Sequence, residues 1–155
     1  MNSLNGITIF VDADACPVKE EIITIAQQYE IKVVFVASFT NQMADPVNGI
    51  WVYVDPHKES ADLYIINHIG ENDIVITQDI GLASLVLSKK AYALSPRGKQ
   101  YEETSINTAL DFRYLAAKSR RSGKYEKGPK KFTQKDRETF KSKLNDLLSK
   151  FEIRK

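Results

Sequence analysis

The sequence predicts an α/β fold, a three-layer sandwich with a mostly parallel central sheet, followed by a C-terminal helical extension. Two apolar runs, Ile7–Val11 and Ile31–Ala37, have the continuous hydrophobicity of strands that are buried on both faces. They alternate with segments whose apolar residues recur at helical spacing. This alternation favours parallel strands, because the connecting helices then cover both faces of the sheet.

The predicted elements follow one another regularly up to about residue 98. Pro17 suits the first turn of a helix that runs to about Tyr29, because no helical hydrogen bond is lost there. The remaining strands are predicted at Trp51–Val54, Asp73–Thr77 and Ala91–Leu94, and the helices between them at Glu59–Ile69 and Gly81–Ser88.

Beyond Gly98 the pattern is helical. One helix is predicted over Ser105–Ala117 and another over Thr133–Phe151, with Thr133 as N-cap and Asp136 three residues on. The apolar stripe of the second helix consists of Phe140, Leu144, Leu147, Leu148 and Phe151. We expect one domain over residues 1–155, with a core at about 7–98 and a basic helical extension at about 99–155. The apolar surface of the two C-terminal helices is also a candidate homodimer interface.

The composition favours a protein of the cytoplasm. No apolar run reaches the ~18–20 residues that a transmembrane helix needs, so no membrane partner is expected. The N-terminal segment lacks the basic and apolar regions of a secretory signal. Cys16 is the only cysteine, which excludes an internal disulfide.

Charge is divided unevenly along the chain. Residues 1–96 carry 5 Lys/Arg and 12 Asp/Glu, a net −7, whereas residues 97–155 carry 17 and 8, a net +9. Such a basic segment is expected to hold phosphates, although basic tails are also common as solvated surface. Tyr125 and Phe132 lie among these cations and could stack on unpaired bases or pack on the core. The predicted partner is nucleic acid, with RNA favoured over DNA, and the residues predicted to bind it are Arg97, Arg113, Arg120, Arg121, Lys124, Lys130 and Lys131.

Carboxylates follow several of the predicted strands. Asp12 and Asp14 end the first strand and face the same way if the backbone there is extended. Asp79 follows the strand DIVIT, and Asp55, Glu59 and Asp62 follow the third strand. Because the carboxyl ends of parallel strands share one edge, these acids are expected to converge there. A hard divalent cation, Mg²⁺ or Mn²⁺, would neutralise them, although any one Asp is more often a helix cap.

Cys16 lies just before Pro17 at a predicted helix start, where the helix dipole can activate a thiol. The simpler interpretation is a small apolar residue that fills tight space beside the acids. His57 and His68 lack the spacing of metal ligands and are assigned to the surface or to structure.

Five signatures, VDADACPVK, SADLYI, DIVITQDIGLA, LSPRG and FTQKDRETF, occur in this order between about Ile7 and Leu148. Together they resemble the YaiI/YqxD family of small bacterial proteins, which is usually grouped with PIN-like nuclease domains. The resemblance implies a PIN-like fold and metal-dependent hydrolysis of RNA or DNA phosphodiesters.

The resemblance also implies roles for individual residues. Asp12 and Asp79 would hold the ion, and Asp62 and Asp14 would help to bind it or to activate water, so all four are candidate catalytic residues and metal ligands. Glu59 stands where this family usually has an Asp, which leaves its role as a metal ligand open.

Two other functions fit the same residues. The motif FVDADAC also resembles the D-x-D nucleophile motif of haloacid-dehalogenase-like phosphatases, with Asp12 as nucleophile, Asp14 as acid and base, and Thr77 as the phosphate-binding hydroxyl. Alternatively, the chain is a non-catalytic module that binds RNA or ribosomes. The cluster of acids disfavours this last possibility, because buried like charges without an ion are costly.

Overall fold

The computed structural model describes residues 6–42, 46–57, 59–107 and 131–153. These residues form a five-stranded sheet in the order β3-β2-β1-β4-β5, and every pairing is parallel. The strands are β1 Thr8–Asp12, β2 Lys32–Ser38, β3 Ile50–Val54, β4 Ile74–Ile76 and β5 Tyr92–Leu94. The prediction of an α/β fold with a parallel central sheet is therefore confirmed.

Helices follow or connect the strands, as predicted. They are α1 Lys19–Tyr29, α2 Ser60–His68, α3 Ile80–Ser88 and α4 Gln134–Ile153. Pro17 and Val18 form a turn ahead of α1, so this helix begins two residues later than predicted. Residues 103–107 are also helical, and the rest of the helix predicted over residues 105–117 lies outside the described residues. None of the helices in the described part of the chain is both long and apolar enough to cross a membrane.

Apolar side chains pack on both faces of the sheet. One face, which includes Ile9 and Val11 of β1, packs against α1 and α4. The other, which includes Phe10 of β1, packs against α2 and α3 through residues such as Ile65 and Leu82. Alternate residues of one strand thus enter different cores, which explains why its sequence is apolar throughout.

The apolar stripe of α4 is covered within the same chain. All five of its members are at most 8% exposed: Phe140, Leu144, Leu147, Leu148 and Phe151. The α4 stripe is therefore not available for the predicted dimer interface, because it already completes the core. The other helix of that prediction lies mostly outside the described residues, and a homodimer stays a prediction.

The first turn of α4 is held by reciprocal hydrogen bonds. The Asp136 N–H donates to the Thr133 hydroxyl at 3.1 Å, and the Thr133 N–H donates to the Asp136 carboxylate at 3.0 Å. The N-cap prediction is confirmed, in the form of a capping box. Arg97, from the loop after β5, donates to Asp136 at 2.7 Å and connects α4 to the sheet. The backbone hydrogen bond from Thr133, with a further contribution from Arg97, lowers the pKa of Asp136.

Gly98 allows α4 to lie directly against the loop after β5. Its φ of +89° belongs to the region that side chains disfavour. A Cβ atom at this position would lie 2.7 Å from Cγ2 of Thr139 and 2.8 Å from the backbone nitrogen of Phe140. Both the backbone conformation and the close contact therefore require glycine.

Candidate active site

The candidate active site lies where successive strands stop being added to one side of β1 and begin to be added to the other side. From β1 the chain builds β2 and β3 on one side, then crosses to build β4 and β5 on the other. The reversal therefore falls between β1 and β4, and ligands of open parallel sheets bind beyond the carboxyl ends of strands at such a point. Asp12 ends β1 and Thr77 follows β4, and the Thr77 hydroxyl donates to Oδ2 of Asp12 at 3.0 Å.

A cavity of about 350 Å³ opens at this reversal point. Four of the residues that line it are the predicted catalytic and metal-binding acids: Asp12, Asp14, Asp62 and Asp79. The structure thus brings together carboxylates from β1, α2 and the start of α3. Asp55 also lines the cavity, whereas Glu59 does not and instead shares with Asp62 a neighbouring groove between α2 and α3.

Asp14 reaches the cavity by a different backbone path than expected. Residues Ala13–Ala15 form a 3-10 turn after β1, so Asp12 and Asp14 do not lie on one extended strand. The backbone N–H of Ser38 donates to Oδ1 of Asp14 at 3.0 Å, and Nδ2 of Asn41 donates to the same oxygen at 2.9 Å. Two donors from the end of β2 thus orient this carboxylate.

Asp79 combines a structural position with a place in the cavity. As N-cap of α3, it accepts a hydrogen bond from the Leu82 N–H at 3.2 Å. Its own N–H donates at 3.0 Å to the Thr77 hydroxyl that in turn donates to Asp12. The capping interpretation of an isolated Asp is therefore correct here, and the same residue still lines the site. Thr77 couples the two acids through one buried hydroxyl group, with the residue 1% exposed.

Burial and mutual repulsion disfavour ionisation of two of the acids. Burial raises the pKa of Asp12, as do the charges of Asp14 and Asp79, while the Thr77 hydrogen bond opposes the rise. Burial raises the pKa of Asp62 to about 6, with further contributions from Asp79, Asp12 and Glu59. None of the described residues donates a hydrogen bond to the Asp62 carboxylate, so no such bond opposes the rise of its pKa.

The chemistry of these side chains fits Mg²⁺ or Mn²⁺, which prefer carboxylate oxygens. No group of three or more His, Cys, Asp or Glu side chains within the described ranges is placed to hold one ion by itself. Mg²⁺ often takes only one or two carboxylates and completes its shell with water and phosphate oxygens. Two carboxylates of the cavity therefore suffice, provided that the substrate supplies further oxygens.

Several residues of the site were not predicted. Ser38, Thr40 and Asn41, which end and follow β2, line the cavity, as does His57 after β3. The polar run after IKVVFVA was the available signal, since it occupies the carboxyl end of a strand just as Asp12 does. Tyr101, behind the cavity, donates its hydroxyl to the Thr77 carbonyl at 3.2 Å. Burial raises the pKa of Tyr101, and the charge of Asp79 contributes.

The predicted nucleic-acid-binding residues are only partly within the described chain. Arg97 is paired with Asp136 and does not line the cavity, and the side chain of Lys131 is exposed. Phe132 is half-buried beneath the guanidinium groups of Arg97 and Arg137, at 5.5 and 5.2 Å, so it packs against the protein. The others lie outside the described residues: Arg113, Arg120, Arg121, Lys124, Tyr125 and Lys130.

The geometry disfavours both a reactive thiol at Cys16 and the phosphatase mechanism. Cys16 is 5% exposed within the core, and burial raises its pKa to about 11, so the thiol stays protonated at neutral pH. Thr77, the hydroxyl that a phosphatase mechanism needs for phosphate, is buried and donates to Asp12 instead.

Comparison with known proteins identifies the family. A family model described as "Uncharacterized BCR, YaiI/YqxD family" matches residues 10–150. The chain belongs to the YaiI/YqxD family. It is 55% identical over 143 residues to a UPF0178 protein of Bacillus velezensis, covering 92% of this chain and 85% of that protein. A UPF0178 protein of Listeria innocua is 48% identical over 140 residues, 90% and 96% of the two chains. No solved structure matches the chain significantly.

The raised pKa of Asp62 predicts how the stability of this YaiI/YqxD protein depends on pH. Because the folded state holds the proton more tightly than an ordinary Asp, with its pKa of 3.8, stability should decrease as pH rises from about 4 through 6. Asp62→Asn removes this titration, so the variant should melt above the wild type at about pH 8 and much closer to it at about pH 4. Thermal unfolding in EDTA across this range measures the difference.

Asp146→Asn is the matched control, because Asp146 is exposed on α4 and makes the same loss of charge outside the cavity. It should follow the wild-type pH profile. A melting temperature of Asp62→Asn at or below that of the wild type at about pH 8 would contradict the prediction.

Proposed function

We propose that this protein is a metal-dependent nuclease that hydrolyses phosphodiesters of RNA, or less readily DNA. The observation that carries the proposal is the set of four aspartates in one cavity at the reversal point of the sheet. Their unneutralised repulsion makes a cation the expected partner, and the PIN-like grouping of the family fits the same chemistry. All four aspartates are assigned to the catalytic and metal-binding site.

Asp12 and Asp79 are the proposed primary ligands. The Thr77 hydroxyl donates to the Asp12 carboxylate and accepts from the backbone N–H of Asp79, so it connects the two residues, while the Asp79 carboxylate itself is held by the Leu82 N–H. Asp14 is oriented by hydrogen bonds from Ser38 and Asn41 and lines the cavity on the side of β2. When bound, Mg²⁺ or Mn²⁺ would polarise the phosphodiester and neutralise charge that develops in the transition state.

Asp62 is suited to accept a proton from the attacking water. Its carboxylate lacks a hydrogen-bond donor among the described residues, and in the metal-free protein burial raises its pKa to about 6, close to neutral pH. General bases act best when their pKa is near the working pH. Asp62 also belongs to α2, on a different element from the proposed ligands, so it approaches the cavity from another side.

The basic part of the chain is the proposed site of contact with nucleic-acid phosphates. Residues 97–155 carry a net +9, which can offset the repulsion between a polyanion and the acidic cavity. Such contacts would be largely independent of sequence and weakened by salt. The expected setting is the cytoplasm, where RNA is the abundant single-stranded substrate.

The test is cleavage of labelled single-stranded RNA and DNA in Mn²⁺, in Mg²⁺ and in EDTA. We expect cleavage with either cation and none in EDTA, with RNA degraded faster than DNA. Addition of the cation alone should also raise the melting temperature, since a ligand that binds only the folded state stabilises it. This second readout is independent of the substrate.

The outcomes separate the alternatives. Binding of RNA without cleavage under any condition would contradict the nuclease proposal and favour the binding module. Hydrolysis of phosphate monoesters, with an aspartyl phosphate trapped on Asp12, would favour the phosphatase. Cleavage that persists in EDTA would contradict a role for a divalent cation.

A further inference from the structure

An aromatic ladder runs from the core to the surface beside the carboxyl ends of β2 and β3. The ring of Phe35, fully buried, lies 4.6 Å from that of Trp51, which lies 6.0 Å from the ring of Tyr53. Tyr53 in turn stacks on Phe39, with ring centroids 6.4 Å apart and planes within 23° of parallel. The ladder therefore ends in Phe39, which is 56% exposed.

The exposed end of this ladder is joined along the chain to residues that line the acidic cavity, although Phe39 and Tyr53 are not among its lining residues. Phe39 opens the 3-10 turn Phe39–Asn41, whose other two residues, Thr40 and Asn41, line the cavity. Tyr53 directly precedes Val54 and Asp55, which line it from β3. Ser38 of β2 pairs with Val54 of β3, so the chain segments that carry Phe39 and Tyr53 lie side by side where the two strands end.

Phe39 is less needed to complete the core than the other three rings of the ladder. Phe35 and Trp51 are already packed in the core on the α1 side of the sheet, and Tyr53 is half-buried against it. Phe39, by contrast, leaves more than half of its surface in water. Its near-parallel stacking on Tyr53 presents a flat π surface.

We propose that Phe39, supported by Tyr53, stacks on an unpaired nucleobase of the strand whose phosphate occupies the acidic cavity. This inference rests on the proposed nuclease function and specifies its substrate as single-stranded. Each phosphate of a strand is flanked by a nucleoside, so a strand with a phosphate in the cavity carries a base near the turn Phe39–Asn41, two residues of which line that cavity. Bases within a duplex are already paired and stacked, and they cannot occupy this position without being unpaired. Stacking on an aromatic ring is also tolerant of base identity.

The test is the affinity of wild-type and variant proteins for three labelled probes in Ca²⁺, measured by fluorescence anisotropy. The probes are a short single-stranded RNA, the same strand with abasic sites, and the corresponding duplex. Phe39→Ala should weaken binding of the single strand by about 5- to 100-fold, the effect of losing one stacked base. It should leave binding of the abasic strand and the duplex almost unchanged.

Two further variants make the result specific. Phe39→Trp keeps an aromatic surface and should retain the affinity of the wild type. Ile50→Ala removes another exposed apolar side chain, 46% exposed, at the opposite end of β3 and should have no effect. Equal affinity of Phe39→Ala and wild type for the single strand, or an equal loss on the abasic strand, would overturn the inference.

Cleavage assays of the same proteins in Mn²⁺ separate the two proposals. Cleavage by the wild type with no selective loss of affinity in Phe39→Ala would overturn the stacking inference and leave the nuclease proposal intact. Selective loss of single-strand binding in Phe39→Ala without cleavage by the wild type would support stacking in a binding protein and overturn the nuclease proposal. Failure of the wild type to bind or cleave any probe would overturn both.

Discussion

Asp12→Asn is expected to reduce metal-dependent cleavage by about a hundred- to a thousandfold, because a neutral amide no longer holds or neutralises the cation. The fold should survive, since the amide oxygen can still accept the hydrogen bond from the Thr77 hydroxyl. Thermal stability without metal should even rise, because the substitution removes one of the charges that repel one another in the cavity. Rates of cleavage under single-turnover conditions and melting curves in EDTA measure the two effects.

Asp146→Asn again provides the matched control, with the same change of charge on the exposed surface of α4. It should keep both the wild-type rate of cleavage and the increase in melting temperature on addition of Mn²⁺. Asp12→Asn should lose both. If Asp12→Asn cleaves at the wild-type rate, Asp12 is not a ligand and the site must be assigned elsewhere.

Gly98→Ala is expected to destabilise the protein by about 3–5 kcal/mol, the largest effect on stability that we predict. One part of this cost is the positive φ, which an alanine adopts only with strain. The other part is the contact with the Thr139 side chain and the Phe140 backbone, which can be relieved only if α4 moves away from the sheet. Urea unfolding of the wild type and the variant measures the loss.

Gly6→Ala separates the two parts of this cost. Gly6 has a similar φ of +93°, but an added Cβ atom there would meet no atom of the described residues within 4 Å. Its substitution should therefore cost only the backbone strain, about 1–2 kcal/mol. If the two variants lose the same stability, the contact between Gly98 and α4 contributes nothing.

The strands and helices could be predicted because each is encoded locally. A strand such as β2, buried on both faces, is apolar at nearly every position, and α4 repeats its apolar residues at helical spacing. The place of the acids could also be predicted, because the ends of parallel strands meet at one edge whatever the details of packing. This single rule located Asp12, Asp62 and Asp79.

Features that depend on tertiary structure were less accessible from the sequence. The 3-10 turn Ala13–Ala15 changes how Asp14 enters the site. A turn of three residues is too short to produce a periodic pattern in the sequence, so it could not be predicted. The pairing of Phe39 with Tyr53 joins residues from two strand ends and depends on the register between β2 and β3. The aromatic residues for which the sequence predicts base stacking, Tyr125 and Phe132, belong instead to the basic segment.

The hydrogen bond between Thr77 and Asp12 joins residues that are 65 positions apart. Contacts between such distant parts of a chain form late and slowly, because the intervening residues must first be brought together. A growing polypeptide thus contains Asp12 and Asp14 well before β4 has been synthesised and placed beside β1. The acidic cavity consequently arises only with the completed sheet, and incompletely folded chains cannot assemble it.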